Sequence, residues 1–351
     1  VKIQSLEKSK FIEGLEEEYG AEIIITEALE DVPAIPTGSI ALDISLGVGG
    51  IPLRRITTLF GPESSAKTSL CLSISKQAME KGYNVLYVDV EQSLDHNYIR
   101  ALIGDFDASK FVLVQPEMAE QAMDICERGI ASKEFGLIIL DSIGALAPEK
   151  EKADELKDAN VALVPRLLSK YLRRTMFSLR TSDTAFIFVN QVRASIGSYI
   201  QSFEMPGGHA LKHYSSVIIR LTKAQAIKVN KVKASAKDES EEIIGSYSKF
   251  VITKNKLAPP FRSSTFPLIY GKGIDTTRNL VDFAELLGVI SRRGSYYTFE
   301  QETLGQGLNK TIEYLNQHEE VMDKIEEKVY NIMNSKQKGV ELLDAEEIIE
   351  S

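Results

Sequence analysis

The stretch Ile56-Thr57-Thr58-Leu59-Phe60-Gly61-Pro62-Glu63-Ser64-Ser65-Ala66-Lys67-Thr68 decides how this chain is read. An apolar, β-branched run breaks at a glycine turn, and the apolar spacing through Cys71 and Met79 then reads as a helix. A phosphate-binding loop belongs at such a strand–turn–helix junction. Backbone N–H groups between Gly61 and Thr68 would wrap the phosphates, and the helix N-terminus adds partial positive charge. Lys67 is placed to reach the β and γ phosphates, and Thr68 to hold Mg²⁺. The strict pattern asks for glycine where this chain has Ala66. One methyl group leaves the backbone amides free to cradle phosphate if φ allows it, so the expected cost falls on fit and turnover.

The same grammar repeats outward from that loop. Val85 to Asp89, Leu137 to Asp141 and Ala185 to Val189 are further apolar runs, each separated from the next by helical spacing. Continuous apolar strands alternating with helices predict a mostly parallel α/β sheet covered on both faces. Asp89, Asp141 and the pair Asn190-Gln191 stand at strand ends, where ligands of such sheets sit. Asp141 is a candidate to hold the water shell of Mg²⁺. Glu91, just past the second strand, could orient and deprotonate a water attacking the γ-phosphate, and Gln191 could sense that phosphate. A helix cap at Thr68 and solvated loop acids at Asp141 and Glu91 are the plainer alternatives.

Composition narrows the classes. The chain has 351 residues, 43% hydrophobic and 26% charged, which predicts globular structure of about two domains. No apolar run approaches the ~18 residues of a membrane helix, and no secretion signal is visible. Two cysteines, Cys71 and Cys126, make no disulfide framework or metal spacing, so a cytoplasmic setting is expected. A net charge of -9 argues against a uniformly basic surface but leaves room for a local basic stripe. From residue 339 onward Glu341, Asp344, Glu346, Glu347 and Glu350 form an acidic tail without a basic residue.

Ile3, Leu6, Ile12, Leu15 and Tyr19 predict an amphipathic helix stopping at Gly20, followed by a strand over residues 22–26. This helix–strand arm could dock on a neighbouring subunit or pack on its own domain. After residue 215 the reading shifts to strands at Val217–Leu221, Tyr247–Thr253 and Thr265–Tyr270. Helices follow over residues 278–290 and 309–334. The expected domains are an arm at 1–34, a core at 35–276, a small α+β C-terminal domain at 277–338 and the tail at 339–351.

Taken together these residues resemble the bacterial RecA recombinase family. The likeness runs through Pro36-Thr37-Gly38-Ser39, Ala41-Leu42-Asp43 and Leu46-Gly47-Val48-Gly49-Gly50 into the phosphate loop. It continues at Asp89-Val90-Glu91-Gln92-Ser93-Leu94-Asp95, Asn190-Gln191-Val192-Arg193, Lys254-Asn255-Lys256, Pro260-Phe261 and Gly305-Gln306-Gly307. It extends from the first helix to about residue 335.

The resemblance implies a RecA-like phosphate-loop ATPase core with ATP and Mg²⁺ as cofactors. Asp95, Tyr98 and Tyr270 would hold the adenine, although each tyrosine alone reads as ordinary packing. Lys254 and Lys256 would reach the ATP of the adjacent subunit, so hydrolysis would need a homo-oligomeric helical filament. Two segments would bind DNA. The first, near 150–166, includes Val161 and leads into a helix carrying Arg166, Ser169, Lys170, Arg173 and Arg174. A basic helix face is more often merely solvated, but phosphate contact is what the family implies here. The second runs from Arg193 through Ala194, Ser195, Ile196 and Gly197 to Gly207 and Gly208. Its glycines permit close approach, and Ile196 could wedge between bases.

Three departures from the family stand out. Ala66 replaces the loop glycine, and the second DNA segment is a residue short and lacks the threonine run. His213 stands where an aromatic residue commonly relays the ATP state. A phage or mobile-element origin fits such a loop. The expected function is an ATP-dependent recombinase that forms a filament on single-stranded DNA and pairs it with homologous duplex DNA. The alternatives are a filament-forming binding protein that ATP merely switches, and a related ring-forming helicase. Filaments of the family also promote self-cleavage of SOS-type repressors, which makes such a repressor a further partner to consider.

Overall fold

A computed structural model describes residues 10–19, 32–146, 163–194, 203–204, 208–231 and 240–337. The chain divides into two compact units, Val1–Val32 and Pro33–Ser351. In the first, helix α1 (Lys10–Tyr19) presents Glu13, Glu17 and Glu18 to solvent. The expected strand over residues 22–26 lies outside the described residues.

The second unit is built on a nine-stranded sheet of order β13-β12-β11-β10-β3-β7-β6-β4-β5. Its strands are β3 (Ile56–Gly61), β4 (Asn84–Asp89), β5 (Phe111–Val114), β6 (Phe135–Asp141) and β7 (Ala185–Gln191). They are joined by β10 (Val217–Lys231), β11 (Ser240–Asn255), β12 (Ser263–Ile269) and β13 (Gly273–Ile274). From β10 to β5 the neighbours run parallel, and β11, β12 and β13 extend the sheet antiparallel. Short pairs β1 (Ala34–Ile35) with β2 (Ile51–Pro52) and β8 (Arg193–Ala194) with β9 (Phe203–Glu204) complete this part.

Period-two alternation explains why the central strands are apolar throughout. Val85 and Tyr87, Leu137 and Ile139, and Ala185, Ile187 and Val189 join one core cluster. Their intervening partners Leu86, Val88, Ile138, Leu140, Phe186 and Phe188 join the other. Helices α2 (Ile40–Leu46), α3 (Lys67–Glu80) and α4 (His96–Ile103) pack on the first face. Helices α5 (Ala119–Ser132), α6 (Leu163–Arg180) and α7 (Gly208–Tyr214) pack on the second. Burial of this many aliphatic side chains, each worth ~1.5–3 kcal/mol, is the dominant favourable contribution.

Beyond β13 come α8 (Thr276–Leu286), an antiparallel sheet of β14 (Ile290–Arg293), β15 (Tyr296–Phe299) and β16 (Glu302–Gln306), then α9 (Leu308–Gln317) and α10 (Glu319–Gln337). The single helix expected over 309–334 is in fact two, broken at His318. Its φ of -131° and ψ of 73° are not helical, and its ring nitrogen lies 2.8 Å from the Tyr314 carbonyl. Two strands are also longer than expected: β10 runs on past Leu221 to Lys231, and β11 begins at Ser240 rather than Tyr247.

Candidate functional site

The loop begins where β3 can come closest to its neighbour. A Cβ on Gly61 would lie 2.1 Å from the Leu221 carbonyl oxygen of β10, so only glycine lets the strand end there. Ser64 and Ala66 both take left-handed backbone, with φ of 58° and 70°. Ala66 therefore adopts the conformation that explains the glycine of the strict pattern. Helix α3 opens at Lys67, and no side chain from position 66 caps its first amides. The N-terminal N–H groups that a helix leaves unpaired thus face the loop.

Lys67 is only 7% exposed. Its ammonium donates to the carbonyls of Pro62 (2.6 Å) and Gly61 (3.1 Å) and to the Ser65 hydroxyl (3.4 Å). Burial lowers its pKa, an effect that Asp141 and Glu91 oppose.

Across the loop, register brings the acids together. Asp89 pairs with Asp141 and Gly61 with Gln191, which sets the carboxyl ends of β3, β4, β6 and β7 around one cleft. Asp141 Oδ2 accepts from Thr68 Oγ1 at 2.9 Å and from the Tyr87 hydroxyl at 2.7 Å. Burial pushes the Asp141 carboxyl up to about 6, against the pull of those two hydrogen bonds. Glu91, at the cleft mouth, accepts on Oε1 from Gln191 Nε2 at 2.6 Å and from the Ser142 hydroxyl. The Asp141–Ser142 peptide bond is cis.

Glu63 through Ser69, Glu91, Tyr98, Asp141 and Gln191 line a cleft of about 210 Å³. Larger hollows of about 630 Å³ beside Phe299 and 350 Å³ beside Arg278 lie elsewhere, lined by none of the phosphate-loop residues. Among the described residues no group of three or more His, Cys, Asp or Glu is assembled for a metal. The Thr68 hydroxyl and Asp141 carboxylate are hard oxygen donors, a set that suits Mg²⁺ held jointly with phosphates and water. The residues fit both groups.

The other expected site residues lie around this cleft or apart from it. Asp95 caps α4, accepting from the Tyr98 amide at 2.8 Å, and does not line the cleft. Tyr98 lines it and is 42% exposed. Tyr270, after β12, is 47% exposed, with the Lys223 ammonium 5.9 Å from its ring centre. Lys254 Nζ donates to the carbonyls of Lys212 (2.5 Å) and His213 (3.2 Å) at the end of α7. Neither Lys254 nor Lys256 lines the cleft of this chain.

On α6, Arg166, Lys170, Arg173 and Phe177 form an exposed stripe; Ser169 is half-buried, and Arg174 pairs with Glu127 at 2.8 Å. Arg193 and Ala194 form β8, and Gly208 opens α7. Val161, Ser195, Ile196, Gly197 and Gly207 lie outside the described residues. Sequence reasoning missed two side chains that touch the acids, Tyr87 and Ser142. Strand parity carried a signal for the first, because Tyr87 and Asp141 fall on the same face of neighbouring strands.

A strand, a left-handed loop and a helix facing a strand-end carboxylate define a phosphate-loop α/β protein. Comparison with known proteins specifies it further. Residues 6–275 match the family model of the RecA N-terminal domain, and residues 278–334 that of the RecA C-terminal domain. Protein RecA of Mannheimia haemolytica is 38% identical over 326 residues, covering 92% of this chain and 85% of that protein. Protein RecA 2 of Myxococcus xanthus is 39% identical over 302 residues, covering 86% and 81%. A solved structure titled as that of the RadB recombinase aligns at 22% identity with a TM-score of 0.48, covering 68% of this chain and 98% of its own. The chain belongs to the RecA family of recombinases.

Proposed function

We propose that this chain is an ATP-dependent homologous recombinase that assembles as a helical filament on single-stranded DNA and exchanges strands with homologous duplex DNA. The observation that carries the reading is the position of Glu91. Its carboxylate shares a cleft with Lys67, Thr68 and Asp141 and is gripped by Gln191, which leads directly into β8.

In this reading the amides of Gly61 through Thr68, Pro62 excepted, and the Lys67 ammonium bind the triphosphate. Thr68 and Asp141 hold the metal. Mg²⁺, when bound, neutralises charge on the phosphate oxygens. Glu91 takes the proton of the attacking water, worth ~10²–10⁴ in rate. Gln191 turns from Glu91 toward the γ-phosphate. Asp95, Tyr98 and Tyr270 hold the adenine, and Lys254 and Lys256 reach the nucleotide of the adjacent protomer. That reach requires Lys254 to leave the carbonyls of Lys212 and His213.

Arg166, Ser169 and Arg173, with residues 193–197 and 207–208 and Val161, contact the DNA, and Ile196 wedges between bases. Base pairing rather than side chains reads the sequence. Residues 1–34 dock on the next protomer, residues 277–338 form the C-terminal domain, and residues 339–351 compete for the basic groove. Among the described residues no helix is long and apolar enough to cross a membrane, and we assign the filament to the cytoplasm. An SOS-type repressor is a further partner of the filament.

A second reading, a filament switched by ATP with negligible turnover, draws on the strained Ala66 in the phosphate loop. Measuring ATP hydrolysis with and without single-stranded DNA, on the native chain and on Glu91→Gln, decides between them. DNA-stimulated turnover that Glu91→Gln reduces by ~10²-fold or more supports the recombinase ATPase. Filaments that form with ATP and DNA but show no stimulated turnover favour the switch.

A further inference from the structure

Tyr87 is fully buried in the middle of β4, where an apolar side chain would serve packing equally well, yet its hydroxyl is spent on the carboxylate of Asp141. The sheet register explains the reach. Tyr87 lies opposite Ile139 of β6, so Asp141 is its diagonal neighbour two positions on, within range of a long aromatic side chain. Both project to the face covered by α3, where Thr68 begins the helix.

Two donors converge on one oxygen: the tyrosine hydroxyl at 2.7 Å and the Thr68 hydroxyl at 2.9 Å both give their protons to Asp141 Oδ2. A carboxylate held this way cannot rotate freely about its terminal bond, and Asp141 is itself only 5% exposed. With the Thr68 proton committed to Oδ2, the lone pairs of the threonine oxygen are left to face the cleft as an acceptor.

We propose that Tyr87 is a positioning residue for the divalent cation: it locks Asp141, and through Asp141 orients Thr68, so that hydroxyl and carboxylate oxygens are pre-set for Mg²⁺ accompanying a nucleotide. This rests on the assignment of Thr68 and Asp141 to the metal. Partners of metal-site residues commonly contribute 10–100-fold to metal affinity without touching the ion. Phenylalanine at 87 keeps the ring and its packing, and removes only the donor.

The test is a Mg²⁺ titration of fluorescent ATP-analogue binding by the full chain, in native, Tyr87→Phe and Thr68→Val forms, with thermal melts alongside. Tyr87→Phe is expected to raise the Mg²⁺ midpoint by about 10-fold while restoring native binding at saturating Mg²⁺. Binding without the metal should be unchanged. An unchanged midpoint overturns the proposal even if the melting temperature falls, because the hydroxyl then serves packing alone. If Thr68→Val abolishes the Mg²⁺ dependence while Tyr87→Phe leaves it intact, the metal assignment stands and the role of Tyr87 fails. If the native chain binds nucleotide with no Mg²⁺ dependence, both fail together.

Discussion

Replacing Ala66 with glycine tests whether the left-handed loop is strained at the position where the phosphate pattern asks for glycine. Ala66 has φ 70° and ψ 19° and is 9% exposed. Relief of the left-handed penalty contributes about 1–2 kcal/mol. Against it, glycine loses about 0.5–1 kcal/mol more backbone freedom on folding. Removing a buried methyl costs at most about 0.8 kcal/mol. The three contributions nearly cancel, so Ala66→Gly should lie within about 1 kcal/mol of the native chain, no more than about 4 °C in melting temperature. Ala66→Val should lose about 2 kcal/mol or more, because a β-branched side chain at positive φ is a severe outlier. Urea and thermal denaturation of the nucleotide-free chain measure both. A glycine variant shifted by more than about 2 kcal/mol, or a valine variant as stable as alanine, refutes the reasoning. The DNA-stimulated hydrolysis of the glycine variant should be faster than native, since the methyl beside the phosphates is gone.

Two other sites give sharper structural outcomes. Asp43, 4% exposed on α2, has its carboxyl pushed up to about 8 by burial, against the hydrogen bonds from Thr37. The folded chain therefore holds this proton more tightly than the unfolded one, so stability due to Asp43 falls as pH rises from about 4 to 8. Asp43→Asn, whose Oδ1 can still accept from the Thr37 amide, should be near neutral at pH 5. At pH 9 it should be stabilising by about 1–3 kcal/mol, read from urea midpoints at both values. Gly61→Ala would place a Cβ 2.1 Å from the Leu221 carbonyl oxygen, backbone against backbone. A loss of about 1–3 kcal/mol by thermal denaturation is expected, with or without nucleotide.

The strands that carry the site were legible because both their faces are buried, which writes them as unbroken apolar runs. The acids and amide at their ends were legible because parallel strands point their carboxyl ends at one edge. What was illegible has local causes. Strand β5 is a four-residue edge strand with only Phe111 buried, too short and too exposed to stand out. In the small sheet, β14 exposes Ser291, Arg292 and Arg293, so neither an apolar run nor alternation marks it. The break at His318 has no proline or glycine to announce it. At the cleft, Glu91, Gln191, Lys67, Thr68 and Asp141 were read from strand ends and loop spacing. Ser142 was not, because a hydrogen bond from a neighbouring loop leaves no mark in spacing, and for Tyr87 strand parity marks the shared face with Asp141 but not the hydrogen bond. Asp95 and Tyr270, expected to hold the adenine, do not line the cleft of the single chain, and neither do Lys254 and Lys256, expected to reach the nucleotide of an adjacent one.

Glu91 and Lys254 also bracket one segment of chain. Going in, β7 ends at Gln191, whose side chain grips Glu91; coming out, α7 ends at carbonyls that hold the Lys254 ammonium. The chain between them is thus moored at both ends to groups that the proposed hydrolysis uses. A displacement of Gln191 or of the end of α7 need not propagate through the core to be felt at Glu91 or Lys254, since each is a direct side-chain contact. Cutting one mooring should change what cutting the other does, so substitutions at Gln191 and at Lys254 should combine non-additively despite lying on different strands.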